Sequence, residues 1–265
     1  MDRRLSIRAM APALLALALG SAGLVPLLPV PSAVAASALA DRTIVLNPEE
    51  GGSDPGGIAG GIEEKNINLP TTLDLGALLS RAGAHVVYTR STDRTVSLAA
   101  RADLANQVHA DAFLTIAANA LNDPNYSGAT TYYGTRGGYL GGQTRSATLV
   151  ATSRDLAQDV QQALVQATGA VDRGIKAANF YVLGYATMPS VLIETGFMTN
   201  PAELRQLVAP GYQETIAEGI ASGLEQFFSG RPVAAAQPAV ADSQPADTAA
   251  PVDATTPDAA DAFSP

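Results

Sequence analysis

The order of elements predicts an α/β three-layer sandwich: a mostly parallel, twisted sheet of about six strands with helices on both faces. Three observations carry this. Short apolar runs alternate with longer amphipathic stretches between residues 43 and 228. Gly-rich or polar turns separate them. Residues 41–230 are enough for one domain and too few for two of ordinary size, and a chain that is 47% hydrophobic can fill a core.

Taken in order, Thr43-Ile44-Val45-Leu46 is a short apolar run and reads as a buried strand. The loop after it is rich in glycine (Gly51, Gly52, Gly56, Gly57, Gly60, Gly61). A helical pattern then runs to Ala82 with Leu73, Leu75, Leu78 and Leu79, and Gly83 stops it. Pro70 belongs in its first turns or kinks it. His85 to Thr89 is the second strand. Ser97 to Val108 is helical, with Leu98, Ala102, Ala105 and Val108 along one side. Ala112 to Ala117 is the third strand, and Thr130 to Tyr133 the fourth. A Gly-rich stretch at 134–142 lacks the Gly-Lys-Ser/Thr ending of a phosphate loop and reads as a mobile surface loop. Ser146 to Thr168 is a long amphipathic helix with Leu149, Leu156, Val160, Leu164 and Ala167 inward. Phe180 to Leu183 and Ser190 to Thr195 read as short strands. Asn200 caps a helix opened by Pro201. Tyr212, Ile216, Ile220, Leu224 and Phe228 line the last helix.

The ends differ from this middle. Residues 1–40 carry Arg3, Arg4 and Arg8, then an apolar run from Ala11 to Leu28 interrupted by Pro26. Ala33-Val34-Ala35 and Ala38-Leu39-Ala40 both fit the small-x-small rule, so a cleaved secretory signal is expected, with no stable membrane span afterwards. Residues 231–265 are mostly Ala, Pro, Asp, Ser and Thr and are expected to be a disordered tail. The expected location is secreted or at the cell envelope.

Composition excludes several chemistries. With no Cys there are no disulfides, thiol nucleophiles or thiolate metal sites. The net charge is −9 and no basic block is present, which argues against nucleic acid as a partner. Only two His occur, His85 and His109.

In open α/β sheets a ligand lies outside the carboxyl ends of the strands. That rule selects Asn47, Glu49 and Glu50 after the first strand, Glu63 and Glu64 at the next helix start, Ala117 and Asn119 after the third strand, and Glu194 after the last. Glu50, Glu64 and Glu194 would converge on one face. Clustered carboxylates are costly unless a cation, a shared proton or water relieves them.

The order of motifs resembles the zinc-dependent N-acetylmuramoyl-L-alanine amidases, peptidoglycan hydrolases. The residues that carry it are Glu64-Lys65-Asn66-Ile67-Asn68-Leu69, Thr89-Arg90 with Asp93, Arg101 to Asn106, Thr115-Ile116-Ala117-Ala118-Asn119, Asp172-Arg173-Gly174 and Pro189 to Asn200. The resemblance spans residues 43–228. It implies one zinc held by His, Glu and His, with a second Glu as acid/base. Glu64 matches the ligand Glu and Glu194 the catalytic one. The first His belongs in an Asp-Pro-Gly-His-Gly-Gly loop, which here reads Asn47-Pro48-Glu49-Glu50-Gly51-Gly52, so Glu50 stands in its place. The second belongs in Ser-Ile-His-x-Asn, where Ala117 stands. Asn119 is left to hold substrate.

His109 lies before the third strand and His85 at the start of the second, so both belong on the face opposite the site and neither substitutes as a ligand. Two carboxylates and an alanine bind zinc weakly. Without a metal, no bound water reaches a pKa near 7, and a lone Glu194 supplies about 10²–10⁴-fold where enzymes commonly need about 10⁶ or more. The resemblance therefore implies a non-catalytic domain of peptidoglycan metabolism with no cofactor, zinc entering only if the site works after all. Its expected partners are peptidoglycan and a cell-wall hydrolase or divisome protein. Two alternatives stay open: an active amidase with an altered metal site, and a carboxylate-only glycosidase-like site using Glu50 with Glu194.

Overall fold

The computed structural model describes residues 37–137 and 144–229. The sheet elements are β1 (Thr43–Pro48), a hairpin of β2 (Ile58–Ala59) and β3 (Ile62–Glu63), then β4 (His85–Tyr88), β5 (Ala112–Asn119), β6 (Ala129–Gly134), β7 (Asp172–Ala178) and β8 (Ser190–Phe197). The helices are α1 (Lys65–Arg81), α2 (Leu98–Gln107), α3 (Ala147–Thr168), α4 (Tyr181–Tyr185), α5 (Pro201–Leu207) and α6 (Pro210–Phe228). Six strands form the main sheet in the order β4-β1-β5-β8-β6-β7. Only the β6–β8 pair is antiparallel. The expected mostly parallel α/β sandwich is therefore the fold observed.

Strand pleating sorts the core into two layers. Ile44, Leu46, Leu114, Ile116, Val191 and Ile193 pack with α1, α3 and α6. Val45, Phe113, Ala117 and Leu192 face the other way, onto α2 and α4. Central strands buried on both faces read as unbroken apolar runs, which is why β1, β5 and β8 were visible in the sequence. Side-chain caps hold three helix starts: Ser97 accepts from Ala100 N, Ser146 from Leu149 N, and Asn200 from Ala202 N and Glu203 N. Pro70 lies inside α1.

Three expectations need correction. Phe180 to Leu183 is not a strand: Tyr181–Tyr185 is the short helix α4, which buries Val182 and Leu183. Burial can be met by either conformation in so short an apolar run. The strand in this region is β7, Asp172–Ala178, whose Asp, Arg, Gly and Lys gave no apolar signal. As an edge strand it pairs with β6 alone, so polar residues cost it little. Leu98, expected inward, is 47% exposed, and Ala167 is exposed as well.

Ser37–Ala40 belongs to the folded domain. Ser37 Oγ and Ala38 N donate to the Glu225 carboxylate on α6 at 2.7 Å each, and Leu39 is buried in the larger core layer. The rest of the expected export segment, the tail, and most of the 134–142 loop lie outside the described residues. Among those described, no helix is long and apolar enough to cross a membrane.

Candidate functional site

The site forms where β1 ends and the chain turns through Pro48-Glu49-Glu50. Two buried arginines set that turn. From α2, Arg101 Nη1 donates to Asn47 Oδ1 at 2.6 Å and Pro48 O at 2.7 Å, and its Nη2 to Glu50 O at 2.7 Å. Arg90, which follows β4, donates from Nε to Pro48 O at 3.1 Å and from Nη2 to Glu49 O at 2.8 Å. Burial, with Arg101 nearby, lowers the Arg90 guanidinium to about 10. Glu49 N donates to Ile116 O at 3.0 Å, which carries the β1–β5 pairing into the turn. Glu50 then takes the left-handed conformation, φ 63°, and turns the chain into the glycine loop. That loop folds back over the carboxylates. At Gly56 a Cβ would lie 2.6 Å from Glu50 Cγ and 2.7 Å from Glu64 Oε2.

Glu64 sits at the cap position of α1 and is buried. Its Oε2 accepts from Gly57 N at 3.0 Å, and its Oε1 from Asn68 Nδ2 at 2.9 Å and Ala118 N at 3.2 Å. Burial raises its pKa, and these three bonds partly oppose that. Asn68, one turn along α1, points its carboxamide at the same place. Its Nδ2 also reaches Glu49 O at 3.4 Å, while its Oδ1 is buried without a partner.

Ala117 and Glu194 are paired residues of β5 and β8 and point to the same face. Thr195 Oγ1 donates to Ala117 O at 2.9 Å and ties the two strands together there. Glu194 Oε2 is buried with no hydrogen-bond partner. Burial pushes the Glu194 carboxyl well above its ordinary value, Glu49 and Glu64 push it further, and Asn119 and Lys176 pull it back. Asn119 ends β5, where its carbonyl accepts from Met198 N at 2.7 Å.

One carboxylate oxygen from each of Glu49, Glu50 and Glu64 lies within 4.8 Å of the others. Burial raises Glu50 to about 10, helped by a hydrogen bond with Asp54 and by Glu49 and Glu64. Of the expected trio, Glu50 and Glu64 come together with Glu49, Asp54 hydrogen-bonds to Glu50, and Glu194 feels the charges of Glu49 and Glu64. Asp54 and the role of Asn68 were not singled out from the sequence. Their signals were the Asp-Pro turn at 54–55 and the i,i+4 spacing from Glu64. An imidazole-based zinc site does not fit these residues: Ala117 has no donor atom. His85 is exposed at the start of β4, paired with Thr43. His109 is exposed just before β5.

Comparison with known proteins agrees with this frame. The family described as N-acetylmuramoyl-L-alanine amidase matches residues 44–226. The chain belongs to the N-acetylmuramoyl-L-alanine amidase family. It is 37% identical over 187 residues to the N-acetylmuramoyl-L-alanine amidase LytC of Bacillus subtilis (strain 168), covering 71% of this chain but 36% of LytC. The crystal structure of an N-acetylmuramoyl-L-alanine amidase from Clostridium difficile 630 is 34% identical with a TM-score of 0.66, over 72% of this chain and 99% of that one. The CwlD amidase of Clostridioides difficile, solved in complex with the GerS lipoprotein, is 29% identical with a TM-score of 0.64, over 72% of this chain and all of that one (100%). In this amidase domain the carboxyl ends of β1, β5 and β8 meet at a cluster of acids.

Proposed function

We propose that this amidase-family protein is exported and acts on peptidoglycan as a non-catalytic wall-binding or regulatory domain. The observation that carries the reading is Ala117, a methyl group facing the same side as Glu194 where the family resemblance requires an imidazole. With Glu50 at the other His position, Glu64 is the only ligand of the three retained. Oxygen ligands alone hold zinc poorly compared with two imidazoles and a carboxylate. Without a Lewis acid, the scissile carbonyl is not polarised and its developing oxyanion is not stabilised. Glu194 and Asn119 remain as polar groups able to hold the muramoyl-peptide.

Export rests on residues 1–40, with 41–230 as the amidase-like domain and 231–265 as the tail. Cleavage after Ala35 keeps Ser37 and Ala38 on Glu225 and Leu39 in the core; cleavage after Ala40 would remove all three. For a partner, a cell-wall hydrolase or divisome protein fits a regulatory role, as the relative CwlD is found with a lipoprotein.

The test is release of stem peptides from purified peptidoglycan with zinc added, beside co-sedimentation of the protein with the same material. Co-sedimentation without release is expected. Zinc-dependent release that disappears in Glu194→Ala would overturn the reading. Retention of Glu194 in a buried position favours a second reading, an amidase with an altered metal site, and the same Glu194→Ala comparison distinguishes it from a contaminating hydrolase.

A further inference from the structure

A buried positive charge without a counter-charge lies at the other end of the sheet from the acids. Arg145, just before α3, is 4% exposed. Its Nη2 donates to Ser153 Oγ at 3.1 Å and to Ser190 Oγ at 3.2 Å, while its Nε and Nη1 are buried without a partner. No ion pair among the described residues includes it. Burial lowers its pKa, and no acid opposes the shift. A buried cation is strongly unfavourable unless it is paired. We propose that Arg145, Ser153 and Ser190 form a binding site for one carboxylate group.

Three elements meet at this point. Ser190 opens β8 opposite Phe113 of β5. Tyr133 pairs with Val191, which brings the end of β6 beside Ser190. Ser153 comes from α3. Along β8, Ser190 and Glu194 are four residues apart, about 13 Å, so the site is separate from the acid cluster. The guanidinium fits because residue 134 is glycine: a Cβ there would collide with Arg145 Nη1. Every group left over is a donor. Ser153 Oγ accepts from Ser190 N at 3.2 Å as well as from Arg145, and Ser190 Oγ accepts from Arg145. Neither hydroxyl proton is taken up by a bond among the described residues. A planar cation and two hydroxyls with donors to spare fit an oxyanion. One buried positive charge is neutralised by one negative charge. A phosphate dianion would leave a charge uncompensated, and water would meet the donors but not the charge. A bound carboxylate ties the segment before α3 to the start of β8. The site stands whether or not the domain binds peptidoglycan.

The experiment uses the mature full-length protein in carboxylate-free buffer. Sodium acetate is titrated against sodium chloride at constant ionic strength, read by thermal unfolding and calorimetry. One acetate per chain is expected, with a saturable rise in Tm of several degrees and a smaller effect of sulfate. N-acetyl-dialanine, beside its C-terminal amide, identifies the source of the group. Binding of the free acid at least as tight as acetate assigns a peptide end, and binding of acetate alone assigns a small free acid; equal binding of the amide would contradict the site. Arg145→Met should unfold at no lower denaturant concentration than the acetate-free unaltered protein, and should lose the response to acetate. Ser190→Ala should weaken acetate binding roughly 2–10-fold. Arg145→Lys keeps the charge but loses the planar fork, and should weaken acetate binding at least tenfold. No saturable response up to about 0.1 M acetate would overturn the proposal. So would an equal response in Arg145→Met, or unchanged affinity in Arg145→Lys.

Discussion

Ala117 shares its face of the sheet with Val45, Phe113 and Leu192, and its methyl group completes that apolar layer. Restoring the imidazoles tests whether the frame around it is still that of a zinc site. Glu50→His with Ala117→His should bind zinc beside Glu64, raising zinc affinity by more than the roughly 10–100-fold that outer-shell partners alone command. Folded double mutant with no zinc uptake, measured by metal analysis after dialysis, would show that these two positions do not face a common centre. Arg101 decides whether the turn keeps its shape at all. Its planar fork serves Asn47, Pro48 and Glu50 at once, which a single ammonium cannot match. Arg101→Lys should lose about 3 kcal/mol in denaturant unfolding through buried acceptors left unpaired. Sequence order alone pointed to Glu50 and Glu64, which do come together with Glu49, because ligand sites lie at strand ends. The role of Asn68 was not assigned from the sequence: its i,i+4 spacing from Glu64 is the only signal, and an Asn within a helical pattern otherwise looks like any polar helix position.

Among the elements, β1, β5 and β8 were legible because strands buried on both faces are apolar throughout, while β7 was not, because an edge strand can carry Asp172, Arg173 and Lys176. The Phe180–Leu183 run misled for the opposite reason: it is apolar and buried, yet helical. The packing of α6 on α3 depends on glycines that periodicity does not explain. A Cβ at Gly223 would lie 2.5 Å from Val160 Cα, and one at Gly219 2.9 Å from Leu164 Cα. Both are backbone atoms that can yield only by moving a helix. Gly223→Ala should therefore destabilise the protein by about 1–3 kcal/mol in chemical unfolding, although alanine is the better helix former. The N-terminal segment is held to α6 by the hydrogen bonds of Ser37 and Ala38 to Glu225. Leu39→Ala should cost about 2–5 kcal/mol, and sequencing of the exported protein should find Ala36 first.

For the whole molecule, the charge balance becomes a statement about stability. Glu50 is raised from an ordinary 4.5 to about 10, and Glu64 and Glu194 are raised too. Raised carboxyls mean that the folded state holds protons which the unfolded chain gives up above about pH 4.5. Their favourable contribution is complete below that pH and is lost as pH climbs toward 10. The chelator-treated protein should melt at a lower temperature at pH 8 than at pH 5, and Glu50→Gln should flatten the difference. One domain of amidase architecture thus carries a glutamate and an alanine where its family resemblance calls for imidazoles. The most direct test of that claim is the zinc content of the purified protein after dialysis with zinc in excess of protein followed by metal-free buffer. The account predicts well under one zinc per chain. One tightly held zinc per chain in the unaltered protein would contradict it.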